Sequence, residues 1–144
     1  MDNLYRDFIL EHYRQPHNKG VLQPHDLHFA DSNPTCGDEM SMSLRLDEAG
    51  ERVVDVAFDG RGCAISQASA SILTDELRGQ TLDEVRAIDP KHVLDELGVP
   101  IGPARLKCAL LSYKVLQGAV RGGTVSWPEE ADVLAGANEG GSAP

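Results

Sequence analysis

Residues 40–62 read MSMSLRLDEAGERVVDVAFDGRG, and residues 63–79 read CAISQASASILTDELRG. The fold turns on the change of period between them. Met40, Met42, Leu44 and Leu46 alternate with Ser41, Ser43 and Arg45, which places the apolar set on one face of an extended strand. Asp47-Glu48-Ala49-Gly50 supplies turn chemistry, and Val54, Val56 and Phe58 then alternate with Asp55 and Asp59. Two alternating segments joined by a short turn predict an antiparallel hairpin. After Gly60-Arg61-Gly62 the period lengthens. Ile65, Ala68, Ile72, Leu73 and Leu77 recur at helical spacing over residues 64–78, and Gly79 ends the pattern.

Working outward, residues 3–14 form an amphipathic helix through Leu4, Phe8 and Ile9, stopped by Pro16. Residues 15–27 read as a loop, and His28–Asp31 as a short first strand. On the other side, Thr81 and Glu84 make a capping box for a short helix carrying Leu82, Val85 and Ile88. Asp89-Pro90 opens another that stops at Gly98. Pro103 opens a last helix through Val120, with Leu106, Leu110, Tyr113 and Leu116 inward. Residues 128–144, rich in Ala, Gly and acidic side chains, read as a disordered tail, which leaves residues 1–127 as one domain. A helix, then antiparallel strands, then helices is the order of an α+β fold.

At 144 residues, with 41% hydrophobic and 25% charged side chains, the chain can bury a core without disulfide staples. Its 13 basic against 23 acidic side chains give a formal charge of −10, which disfavours nucleic acid and anionic membranes and points to a protein partner with a basic face. The N-terminal stretch MDNLYRDFILEHYRQP has neither the apolar run nor the cleavage pattern of a signal peptide. Three scattered cysteines do not make a secreted disulfide framework. The expectation is a cytoplasmic protein whose cysteines bind metal, react, or simply pack.

Each cysteine sits at an element boundary. Cys36 lies in the tight turn Asn33-Pro34-Thr35-Cys36-Gly37-Asp38, where Asp38 two residues on can face the same point. Zinc accepts both thiolate and carboxylate ligands. The alternative is a buried thiol in a turn with an Asx cap. Cys63 follows Gly60-Arg61-Gly62 at a strand-to-helix junction, where glycines allow close approach and the helix N-terminus favours a thiolate. The alternative is a small buried residue. Cys108 stands in Arg105-Leu106-Lys107-Cys108, whose two cations favour a thiolate and would offset the −2 that three thiolates and a carboxylate leave on a divalent ion. Arg105 is also placed to pair with Asp38. The alternative for Arg105 and Lys107 is a solvated helix face. The gaps of 26 residues between Cys36 and Cys63 and 44 between Cys63 and Cys108 are no zinc-knuckle spacing, so tertiary structure must assemble the site. His12, His17, His25, His28 and His92 adjoin no cysteine, and Ser66, Ser69 and Ser71 read as packing residues.

The segments Leu4-Tyr5-Arg6, His12-Tyr13, Asn18-Lys19-Gly20, Asn33 to Asp38, Gly62 to Ser66 with Ala68 to Ser71, and Arg105 to Cys108 resemble the SufU and IscU family of iron–sulfur cluster assembly proteins, NifU N-terminal-like, over residues 3–127. The resemblance implies an α+β fold with a three-stranded antiparallel sheet under packed helices. It implies that Cys36, Asp38, Cys63 and Cys108 hold zinc or, alternatively, iron or a transient [2Fe–2S] cluster. It also implies a cysteine desulfurase partner, SufS- or IscS-like, and downstream assembly or recipient proteins. IscU-type scaffolds carry His before the third cysteine, where this chain has Lys107. SufU-type proteins carry an insertion between the second and third cysteines that this chain is too short to hold. The leading expectation is a SufU-like, zinc-dependent sulfur acceptor, with Cys36 receiving the sulfur and Arg105 and Lys107 as accessory cations. The alternatives are an IscU-type scaffold and a structural zinc-binding interaction module.

Overall fold

In the computed structural model, which describes residues 2–129 and Val133, the alternating segments pair as read. Strand β2 (Asp38–Leu46) runs antiparallel to β3 (Val53–Arg61), with Met42 opposite Phe58 and Leu44 opposite Val56. Strand β1 (Leu27–Asn33) adds to the other side of β2, so the sheet order is β1-β2-β3. The first strand is longer than its own sequence indicates. Ser32 and Asn33 carry no strand signal, but pairing with Glu39 and Asp38 extends the ladder to the Cys36 turn. The side chain of Asp47 accepts from the backbone of Glu51 at 2.9 Å and fixes the β2–β3 turn.

Helices cover one face of this sheet. They are α1 (Asp2–Arg14), α2 (Ala64–Asp75), α3 (Leu82–Arg86), α4 (Pro90–Leu97) and α5 (Leu106–Arg121). Helix α5 packs on β1 and β2, α2 packs on β3 and α5, and α1 lies outside on α2. Met42, Leu44, Phe58, Leu77, Leu111 and Leu116 are fully buried between the layers. The α5–β1 approach is close because residue 118 is glycine: a Cβ there would lie 2.4 Å from the Phe29 ring. The capping box of α3 forms, with Glu84 N–H donating to Thr81 Oγ1 and Thr81 N–H to Glu84 Oε1.

Several boundaries differ from the sequence reading. Helix α2 ends at Asp75 instead of Arg78, because Glu76 and Leu77 donate to carbonyls three residues back and tighten the last turn. Pro103–Arg105 forms a separate 3₁₀ turn, and α5 begins only at Leu106. On α1 it is Ile9 and His12 that are buried, while Phe8 is 40% exposed, so the inward stripe is rotated from the one predicted. The Leu4 side chain lies outside the described residues, as does most of the expected 128–144 tail; Val133 within it is buried against the core. Among the described residues no helix is long and apolar enough to cross a membrane.

Candidate metal centre

The Cys36 turn is held by its own backbone. The carbonyl of Asn33 accepts from the N–H groups of Cys36 at 3.2 Å and Gly37 at 2.9 Å. Gly37, at φ 76°, then takes the left-handed step that returns the chain into β2. As a result Cys36 is exposed at the tip, and Asp38, at the start of β2, is only 3% exposed. The Asx-cap alternative does not hold, since the Asn33 carboxamide makes no hydrogen bond among the described residues and Cys36 is not buried.

The β3–α2 junction brings Cys63 to Asp38. Gly60, at φ 127°, touches the Glu39 backbone so closely that any Cβ would overlap it. Gly62 faces the carboxylate directly: a Cβ there would be 2.9 Å from Asp38 Oδ1 and 2.4 Å from Ser66 Oγ. With both glycines in place, Cys63 becomes the N-cap of α2, and its N–H donates to Asp38 Oδ1 at 3.2 Å. Its Sγ lies 3.9 Å from Asp38 Oδ2. The Ser66 hydroxyl donates to the Cys63 carbonyl at 3.0 Å and steadies the junction.

Cys108 completes the group from the first turn of α5. It is 4% exposed, and its Sγ lies 3.2 Å from Cys36 Sγ. Ligand atoms of Cys36, Asp38 and Cys108 all fall within 4.8 Å of one another. A zinc tetrahedron with bonds of about 2.3 Å has edges of about 3.8 Å, so the observed 3.2 and 3.9 Å separations bracket it. Thiols and a carboxylate suit zinc by donor chemistry, and Cys36, Asp38 and Cys108 suit it by mutual distance as well, with Cys63 at the edge of that group. The structure thus gathers Cys36, Asp38 and Cys108, with Cys63 against Asp38, from three different element boundaries.

The predicted cations divide. Arg105 is exposed and lines the mouth of the cavity with Asp38 and the cysteines, but among the described residues it makes no ion pair. Lys107 points elsewhere: its Nζ sits over the Trp127 ring, 5.5 Å from the centroid. Burial pushes the Cys108 thiol well above its ordinary range, and the hydrogen bond with Cys36 and the nearby Cys63 sulfur push the same way. Sequence reasoning missed Arg61, which joins Arg105 at the mouth, and Trp127, which holds Lys107. The Gly-Arg-Gly context of Arg61 was the available signal for the first.

The serines and histidines named here bond to groups outside the cysteine cluster. Ser69 Oγ donates to the Ala109 carbonyl at 2.7 Å, and Ser71 Oγ pairs with His12 Nδ1 at 2.7 Å. His17 pairs with Asp75 and His92 with Glu76.

Comparison with known proteins places this geometry. The NifU-like N terminal domain family matches residues 4–122. The chain is 38% identical over 138 residues to the zinc-dependent sulfurtransferase SufU of Bacillus subtilis, covering 83% of this chain and 91% of that one. It is 32% identical over 120 residues to the iron–sulfur cluster assembly scaffold protein IscU of Azotobacter vinelandii, covering 81% and 91%. A crystal structure described as an iron–sulfur cluster assembly scaffold protein for the SUF system, FiSufU from Fervidobacterium islandicum AW-1, superimposes with a TM-score of 0.70 at 28% identity, covering 79% of this chain and 94% of that one. With a family match across most of its length and a three-stranded antiparallel sheet under helices, the chain belongs to the NifU-like N-terminal domain family.

Proposed function

We propose that this protein is a SufU-like sulfur acceptor of iron–sulfur cluster assembly, holding zinc with Cys36, Asp38, Cys63 and Cys108 and taking sulfur on Cys36. The observation that carries the reading is the convergence of three thiols and one carboxylate, with Cys36 exposed at a turn tip and Cys108 buried behind it. The similarity to a relative named a zinc-dependent sulfurtransferase supports it. Zinc, when bound, keeps the thiols deprotonated and guards them against oxidation.

The residues themselves account for the transfer. The Cys36 thiolate attacks the terminal sulfur of a persulfide on a cysteine desulfurase. A new S–S bond forms on Cys36 as the donor's S–S bond breaks, and the donor leaves as a thiolate, so no external oxidant or reductant is consumed. Arg105, exposed at the mouth, is free to swing to Asp38 and match its charge when Cys36 turns away. Lys107 is held by Trp127 and serves the approach to Cys36. A cytoplasmic location, where thiols stay reduced, suits this chemistry.

A scaffold for a transient [2Fe–2S] cluster on the same four residues is the second reading, favoured by the relatives named as scaffolds. Among the described residues the group contains no histidine, and Lys107 points away from it, which weighs for sulfur transfer. The test is metal content of the natively purified protein with each of Cys36, Asp38, Cys63 and Cys108 replaced in turn, beside anaerobic iron–sulfide reconstitution. Stoichiometric zinc lost in every variant, with no stable cluster spectrum, supports the acceptor. A stable cluster requiring all three cysteines supports the scaffold instead.

A further inference from the structure

Beside the metal-facing cavity lies a second cleft of about 230 Å³, and the two share Cys36 and Ala104. Neither Cys63 nor Cys108 lines this second cleft, so Cys36 stands at the boundary between the two spaces. Leu106, Leu110 and Trp127 give the cleft apolar walls, and Lys107 adds a cation. Asn33 lines it as well. The Asn33 residue is 1% exposed, yet neither Nδ2 nor Oδ1 has a hydrogen-bond partner among the described residues. A buried amide with both ends unpaired is costly, and it marks a place where a partner group is missing. The turn does not need it, because the Asn33 main-chain carbonyl already holds Cys36 and Gly37.

We infer that this cleft is a subsite for an extended peptide segment of the sulfur donor, one peptide unit pairing with the Asn33 carboxamide and an adjoining apolar side chain resting against Trp127. The inference rests on the sulfur-acceptor reading above. A carboxamide offers one donor edge and one acceptor edge, and a peptide unit offers the complementary pair. The volume suits one side chain with its peptide unit, far less than a folded partner. A segment held there sets its neighbouring residue beside Cys36, where a persulfide must arrive. Lys107 is the cation that lines the cleft itself, and Arg61 and Arg105 line the adjoining cavity. The whole molecule carries −10, but Arg61, Arg105 and Lys107 gather around the two cavities. The segment that docks here is acidic where it meets these cations.

Trp127 is the single tryptophan of the chain, so its fluorescence reads the cleft directly. The full-length protein is titrated with the blocked peptide acetyl-Leu-Cys-Asp-Gly-amide, with the same peptide carrying Lys for Asp, and with free cysteine. The acidic peptide saturates the signal, the basic one binds about tenfold more weakly, and free cysteine gives no response at the same concentrations. Asn33→Leu lowers affinity for the acidic peptide about tenfold while leaving the circular dichroism spectrum unchanged. Lys107→Glu reverses the preference between the two peptides, which a folding defect cannot do. Equal affinity in Asn33→Leu, or a response to free cysteine matching the peptide, overturns the subsite. In parallel, wild type and Asn33→Leu receive sulfur from a cysteine desulfurase. Transfer to wild type with an unchanged KM for the desulfurase in Asn33→Leu overturns the subsite alone. Absence of sulfur on the wild-type protein overturns the acceptor reading and the donor assignment with it.

Discussion

Gly62→Ala is a one-methyl probe of the proposed metal site. Gly62 has no positive φ, so alanine adds no backbone strain and acts only through the space it fills. The new Cβ would meet Asp38 Oδ1 and Cγ at 2.9 Å and Ser66 Oγ at 2.4 Å. The serine can rotate away, giving up its 3.0 Å hydrogen bond to the Cys63 carbonyl. Ordinary contact begins near 3.4 Å, so the Asp38 carboxylate must withdraw by about 0.5 Å. Metal–ligand distances tolerate only about 0.2 Å, and the shift also lengthens the Cys63 N–H bond to Asp38, now 3.2 Å. Disturbing ligand support in this way costs about 10- to 100-fold in metal affinity, or about 1.4–2.7 kcal/mol. Competition with a chromophoric zinc chelator measures it, with thermal unfolding of the apo-protein as the control. Wild-type zinc affinity in Gly62→Ala, alongside a large loss in Asp38→Ala, would refute the claim that Gly62 sets the carboxylate.

Three further outcomes are expected. Chelation of zinc loosens residues 33–38 and leaves the helical circular dichroism in place, because the core between sheet and helices is packed without the metal; hydrogen exchange that spread to α2 and β2 would contradict this. Burial, and then the neighbouring His17, hold His12 below its ordinary pKa, so the folded state resists its protonation. Its contribution is therefore complete above the unfolded value of about 6.5 and is lost as pH falls through the folded value; hydrogen exchange in α1 should accelerate below that point, and His12→Gln should flatten the response. Gly118→Ala gains about 1 kcal/mol of helix propensity but drives a Cβ to 2.4 Å from the Phe29 ring. Overpacking of about 1–3 kcal/mol outweighs that gain, so the melting temperature should fall by several degrees, and a rise would show that α5 and β1 can separate freely.

The hairpin was readable because period-2 alternation and turn residues agreed over Met40–Phe58, and the α4 stop was readable at Gly98. The α1 stripe was misjudged because Phe8 and Ile9 are adjacent apolar residues and only tertiary contact with α2 chooses between them. The four site residues were visible as boundary residues, but their convergence was not. It depends on the Asn33–Asp38 register, on Gly62 admitting the carboxylate, and on α5 starting three residues after Pro103. At Cys108, burial raises the thiol, an effect that the local sequence does not display. The unpaired Asn33 carboxamide had no sequence signature, since Asn before Pro in a turn reads as a cap.

The most direct measurement maps sulfur after the zinc-loaded protein is incubated with a cysteine desulfurase and cysteine under anaerobic conditions. Peptide mass spectrometry with the thiols protected should find one added sulfur atom on Cys36, and Cys36→Ala should carry none at any cysteine. Added sulfur on Cys63 or Cys108 instead of Cys36, or none on the wild-type chain, would contradict the account.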